Sequence, residues 1–180
     1  MPDTTVAKKQ TYVRQFDTLN NEDVPLVGGK NASLGEMIGA LKDEGIRVPD
    51  GFATTADAYW HYLTVNDLKD EIWAELEALS DGDQSLSDTG AAIRTLIRQG
   101  TMPHEMADAI QDAYRTLSAA YDAEAIDVAA RSSATAEDLP EASFAGQQES
   151  FLNVRGDEAV LDACKRCFAS LFTDRAITYR

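Results

Sequence analysis

"IDVAARSSATAEDLPEASFAGQQESFLNV", residues 126–154, is where the chain changes character. Its head, "IDVAARSSA", suits a strand, and its tail, "ESFLNV", suits a second one. The stretch between them, "TAEDLPEASFAGQQ", is a long connection of small and polar residues. A connection of that length inside a compact domain tends to be functional. The sequence before this point is dominated by helical periodicity. The expectation is an α+β chain, helix-rich, with a small and mostly antiparallel sheet.

Working towards the N-terminus, Met106, Ile110, Ala113, Leu117 and Tyr121 outline one helix, with Pro103 in its tolerant first turn. Ile93, Leu96 and Ile97 mark another, closed by Gly100, and Leu68, Ile72, Leu76 and Leu79 a third. "SDGDQSLSD" reads as the solvent loop between these two. Thr54 or Thr55 can cap a helix through "ADAYWHYL", which follows an extended segment with a Pro-Asp-Gly turn. Further upstream, Asn31 or Ser33 can cap a helix whose buried face is Leu34, Met37, Ile38 and Leu41, ended by Gly45. "YVRQFD" reads as a short strand, residues 1–15 as a loose leading segment and 16–180 as one domain. Towards the C-terminus, Val160, Leu161, Cys164, Phe168, Leu171 and Phe172 outline a last full helix. "TDRAITYR" then starts a further element without a capping glycine, a proline or a polar tail, so the chain is read as a piece of a longer protein.

Thirty-one acidic residues face sixteen basic ones, for a formal charge of −15. Nineteen of the acids are aspartates, and six of the bases are lysines. Such a surface repels nucleic acid and anionic membranes, which argues against both as partners. It also resembles surfaces adapted to a high-salt cytoplasm. No apolar run nears the roughly 20 residues that span a bilayer, and the start lacks a secretory signal, so a cytoplasmic location is expected. Cys164 and Cys167 have no second ligand pair at zinc-site spacing and read as packing groups. His61, His104, Trp60, Tyr62 and Trp73 also read as structural.

Two stretches carry candidate chemistry. In "LVGGKNASLGEM", residues 26–37, Gly28, Gly29 and Lys30 stand at the mouth of a helix. Glycines let the backbone approach a phosphate, the helix start offers oriented N–H groups, and the lysine adds a point charge. The alternative is an ordinary turn with an exposed lysine. This is not a Walker loop, which needs a glycine where Val24 stands and serine or threonine where Asn31 stands. In the second stretch, Arg131 emerges at the end of a strand read as buried, with a fork geometry that matches phosphate oxygens. Gly146 permits close backbone approach, and the Ser150 hydroxyl can bond a phosphate or a neighbouring carbonyl. Pairing of Arg131 with Glu137 or Asp138 is the structural alternative. Those two acids could in principle hold magnesium, or form a solvated turn capping Thr135.

"VGGKNASLGEM", "VPDGFATTADAY", "ARSSATAEDLPEASFAGQQESFLNV" and "CFASLFTDRAITYR" together closely resemble the N-terminal region of the phosphoenolpyruvate synthases, or pyruvate, water dikinases, of the PEP-utilising enzyme family. The resemblance runs from about Phe16 to Arg180. It implies an ATP-grasp-type nucleotide-binding domain, truncated at its C-terminal end. It also implies an ATP-dependent phosphotransferase converting ATP, pyruvate and water to phosphoenolpyruvate, AMP and phosphate through a phosphohistidine on a separate domain. By the same resemblance Lys30 contacts ATP phosphates, Arg131 is the phosphate-binding and catalytic arginine, and Gly146 and Ser150 approach the nucleotide. The family more often has threonine at Ser150 and valine at Ala130. ATP, with Mg2+ whose ligands lie beyond residue 180, is the implied ligand set; no metal ligand is assigned within the chain. The implied partners are pyruvate, through absent domains, and the remaining domains of the enzyme. The 180 residues alone are expected not to turn over pyruvate. Rifampin phosphotransferases share the module and are the competing enzyme reading, and a non-catalytic acidic binding module is the third.

Overall fold

The structure, a computed structural model, describes residues 11–42, 44–46, 48–135, 138–139, 142–143 and 149–178. Strand β1 (Val13–Gln15) lies on the N-terminal side of Phe16. Two 3-10 turns (Phe16–Thr18 and Asn21–Asp23) follow, then the single turn α1 (Val24–Val27) and α2 (Gly29–Lys42). Strand β2 (Phe52–Thr54) returns antiparallel to β1, with Arg14 opposite Ala53. Four helices come next: α3 (Ala56–Val65), α4 (Leu68–Ser80), α5 (Leu86–Gln99) and α6 (His104–Ala120). Strand β3 (Val128–Arg131), the two-residue pair β4 (Asp138–Leu139) and β5 (Ala142–Ser143), and β6 (Ser150–Val154) precede α7 (Asp157–Ala169) and α8 (Asp174–Thr178). The class is α+β. In place of one small sheet, the described strands form three separate two-stranded antiparallel ladders.

The main core lies among α3, α5, α6 and α7. Tyr62, Ile93, Ile97, Met106 and Ile110 are fully buried there, with Val160 and Phe168 packed in from α7. These are the apolar stripes of the sequence, laid face to face. Tyr62 stays in this core because its hydroxyl donates to the Ile97 carbonyl at 2.6 Å; a buried hydroxyl without a partner would be costly. Burial raises its pKa to about 12. Helix ends are satisfied locally. Thr55, one of the two caps expected, accepts from the Ala58 N–H at 3.2 Å and donates to the Thr11 carbonyl at 2.8 Å. Ser85 caps α5 by accepting from Asp88 N–H. The Lys165 ammonium reaches across from α7 to the Arg98 and Gly100 carbonyls at the other end of α5.

Several expectations are corrected. Tyr121 is the residue after α6 and is exposed, since the helix ends at Ala120. Trp60 and Trp73 are 54% and 64% exposed, because Tyr62 and Ile72, a residue or two away on the same helices, take the inward direction. His61 and His104 do make structural contacts: His61 Nε2 lies 3.4 Å from Glu105 Oε1, and His104 Nδ1 lies 2.9 Å from Asp108 Oδ2.

The largest correction concerns α2. Its expected buried face is only half-buried, and Met37 is 45% exposed. The residues that α2 buries are Gly29, Ala32 and Gly35, and Ala32 belongs to a second, smaller cluster with Leu19, Val27 and Ala53. A Cβ at Gly35 would stand 2.5 Å from Leu19 Cβ and 2.6 Å from the Leu19 carbonyl oxygen. Small residues therefore set the docked side, and of the larger side chains Leu34 lines a cleft while Met37 is exposed. Gly45, at φ +73, ends the helix as expected, with the Ile46 N–H donating back to the Leu41 carbonyl. Among the described residues, no helix is long and apolar enough to cross a membrane.

Candidate functional site

β3 and β6 carry the site's frame. Val128 faces Val154, and Ala130 faces Phe151; between those pairs β6 has one residue more than β3. Asn153, at φ +56, absorbs the resulting bulge. The bulge shifts the register so that Arg131, the last residue of β3, stands directly opposite Ser150, the first of β6. Two residues singled out from sequence are thus cross-strand neighbours, close enough for their side chains to meet one ligand. Arg131 does emerge at a strand end as expected. The strand is not buried, however; its residues alternate half-buried and exposed, and Arg131 is exposed. Among the residues whose side chains are described, the arginine–aspartate ion pairs involve Arg94, Arg115 and Arg166. The alternative pairing of Arg131 with Glu137 or with the Asp138 side chain falls outside what is described, as does Gly146.

After Arg131 the chain runs into the Gly-Gly-Lys turn. Gly28 has φ +81, and a Cβ there would stand 2.3 Å from Ser133 Oγ and 2.5 Å from the Ser133 carbonyl oxygen. The Gly29 N–H donates to the Ala134 carbonyl, and the Asn31 N–H to Ser133 Oγ, each at 3.4 Å. Helix α2 therefore begins at Gly29, earlier than an Asn31 or Ser33 cap would place it. The Asn31 side chain donates backwards instead, to the Val27 carbonyl at 2.8 Å. Two of the N–H groups at this helix start are taken by protein acceptors, so the open anion cradle suggested by the sequence is partly filled from within. Lys30, the second residue of α2, is half-buried and engaged within the protein.

This junction forms one end of a cleft of about 1120 Å³. Asn31 and the run Arg131–Thr135 line that end; Lys30 is adjacent to Asn31 but is not a lining residue. Trp60, Trp73 and Lys69 also line the cleft, and the Lys69 ammonium lies 5.5 Å from the Trp60 ring centre. Ser132 lines the cleft, is 6% exposed, and its hydroxyl has no hydrogen-bond partner among the described residues. A buried hydroxyl next in the chain to an exposed guanidinium is a donor set that suits phosphate oxygens, and apolar lining residues suit a base. ATP therefore fits the residues present. Among the described residues no group of three or more His, Cys, Asp or Glu could hold a metal ion.

Sequence reading missed Ser132, Ser133 and Ala134. The only signal for them was their position immediately after a strand-ending arginine in a run of small residues. Cys164 and Cys167 also line the cleft, half-buried against the core. Desolvation raises both thiols to about 12, so they are poor nucleophiles at neutral pH.

Residues 24–180 match the family described as pyruvate phosphate dikinase, AMP/ATP-binding domain. The chain is 54% identical over 177 residues to a phosphoenolpyruvate synthase of Aquifex aeolicus, covering 98% of this chain and 21% of that protein. It is 52% identical over 166 residues to the phosphoenolpyruvate synthase of Escherichia coli, covering 92% and 21%. A probable phosphoenolpyruvate synthase of Staphylothermus marinus is 48% identical over 178 residues, covering 97% and 21%. The chain thus spans about a fifth of the length of these relatives.

Proposed function

Because the chain belongs to the pyruvate phosphate dikinase AMP/ATP-binding domain family, we propose that it is the ATP-binding part of a phosphoenolpyruvate synthase. In that enzyme ATP, pyruvate and water yield phosphoenolpyruvate, AMP and phosphate by way of a phosphohistidine elsewhere in the protein. The domain is of ATP-grasp type, and these residues form its N-terminal portion. Mg2+ neutralises phosphate charge when bound, through carboxylates outside these 180 residues. Arg131 holds phosphate oxygens by its guanidinium, Ser150 adds a hydroxyl from the facing strand, and Lys30 supplies a second positive charge from the start of α2. Gly146 gives the nucleotide close backbone approach. Chemistry of this kind needs placement and charge more than covalent participation by the protein.

One observation carries the reading: the Gly-Gly-Lys turn meets the loop that follows Arg131 through Gly28 and Ser133, and Asn31 and Arg131–Thr135 at this junction line one cleft. The test is ATP titration of the full-length enzyme and its Lys30→Ala and Arg131→Ala variants. Removing a direct charge-assisted hydrogen bond to the phosphates should weaken binding by about 1.5–3 kcal/mol, roughly tenfold to more than a hundredfold. Unchanged affinity in both variants would remove the assignment.

A further inference from the structure

If Lys30 and Arg131 serve one triphosphate, something must set their separation, because they stand on elements that share no ladder. Two hydrogen bonds join the start of α2 to the loop that leaves β3. Asn31 and Ser133 lie 102 positions apart in the chain, yet the Asn31 N–H donates to Ser133 Oγ. The Gly29 N–H donates to the next carbonyl, that of Ala134. An ordinary helix start is capped by the residue just before it. That position is Gly28, which has no side chain, and its missing Cβ is the space that Ser133 fills. The helix that carries Lys30 is thus capped by the loop that leaves Arg131.

We propose that Ser133 is a positioning residue for nucleotide binding. Its hydroxyl, seated in the space left by Gly28, fixes the first turn of α2 against the end of β3 and so sets where Lys30 stands relative to Arg131. This rests on the reading that Lys30 and Arg131 bind ATP. Ser133 itself need not touch the nucleotide. Without its hydroxyl the Asn31 N–H is deprived of its acceptor, and the first turn of α2 can drift away from the strand.

A thermodynamic cycle in the full-length enzyme tests this, with ATP affinity measured for the parent, Ser133→Ala, Lys30→Ala and the double variant, all below their unfolding temperatures. Ser133→Ala should weaken ATP binding about threefold to tenfold. In the Lys30→Ala background the same change should weaken it less than about twofold, since the group being positioned is gone. A purely structural role would lower the melting temperature and leave ATP affinity unmoved. Parental affinity in Ser133→Ala, or effects that multiply in the double variant, would overturn the proposal and leave the ATP assignment standing. Parental affinity in Lys30→Ala would overturn the proposal, and parental affinity in Arg131→Ala as well would overturn the ATP assignment. Should Ser133→Ala not fold, Ser133→Cys, which keeps the shape but offers only a weak sulfur acceptor, is read by the same criteria.

Discussion

At the scale of single residues, the two cysteines show how a local environment decides a role. Cys164 and Cys167 stand three apart on α7, and both thiols are pushed up to about 12 by desolvation. Tyr62 is raised from 10.0 to about 12 by the same cause. A group that holds its proton more tightly when folded adds stability below its unfolded pKa. That contribution disappears as the pH climbs towards the folded value. With thiols starting at 9.0 and the phenol at 10.0, unfolding stability should be level from about pH 7 to 9 and fall steeply between 9 and 12. Urea denaturation across that range measures it, and a Cys164→Ala, Cys167→Ala variant should lose stability less steeply. A level profile to about pH 11 would contradict the burial argument. Site residues were legible unevenly for a related reason. A strand-ending arginine and a glycine-glycine-lysine turn are visible as residue types with few other uses. Ser133 is one serine among many, and its importance comes from a contact with Gly28 that no local pattern encodes.

At the scale of elements, α2 is the instructive case. Its periodic Leu34, Met37, Ile38 and Leu41 pointed to one buried face, and the helix docks on another, through Ala32 and Gly35. Periodicity locates an apolar stripe but does not say whether that stripe meets its own domain or lines a cleft. The stripes of α5 and α6 were legible because partner helices of similar length cover them. β3 and β6 were legible as strands too, but not their pairing with each other or the bulge at Asn153 that brings Arg131 opposite Ser150. Two glycines of α2 make a matched test. Gly35→Ala gains about 1 kcal/mol of helix propensity. It also places a methyl within 2.6 Å of the Leu19 carbonyl oxygen, against backbone that must move. The expected result is a net loss of about 1–2 kcal/mol. Gly39 is exposed, with nothing within 4 Å of a Cβ, so Gly39→Ala should stabilise by about 0.5–1 kcal/mol. Chemical denaturation reads both; a stabilised Gly35→Ala would mean that α2 is not held by close approach to Leu19.

At the scale of the whole molecule, a formal charge of −15 acts on every other term. The ion pairs among the described residues are few and mostly exposed, and pairs of that kind contribute about 0–1 kcal/mol each. Mutual repulsion of the excess acids therefore outweighs them, and it is long-ranged in dilute buffer. Raising potassium chloride from about 0.1 to 1 M shrinks the screening length from about 10 Å to about 3 Å. The melting temperature should then rise, by about 2–4 °C for each kcal/mol of repulsion removed. Chloride is the better choice for this test, because sulfate would also strengthen apolar burial and confuse the two effects. Asp81 and Asp83 are exposed in the turn between α4 and α5, close to Glu77 in the chain. Asp81→Asn with Asp83→Asn should raise stability in dilute salt and make the salt dependence shallower. If instead salt lowered the melting temperature of the parent, attractive pairs would govern its surface. The acidic excess would then have no role in tuning the protein to concentrated salt.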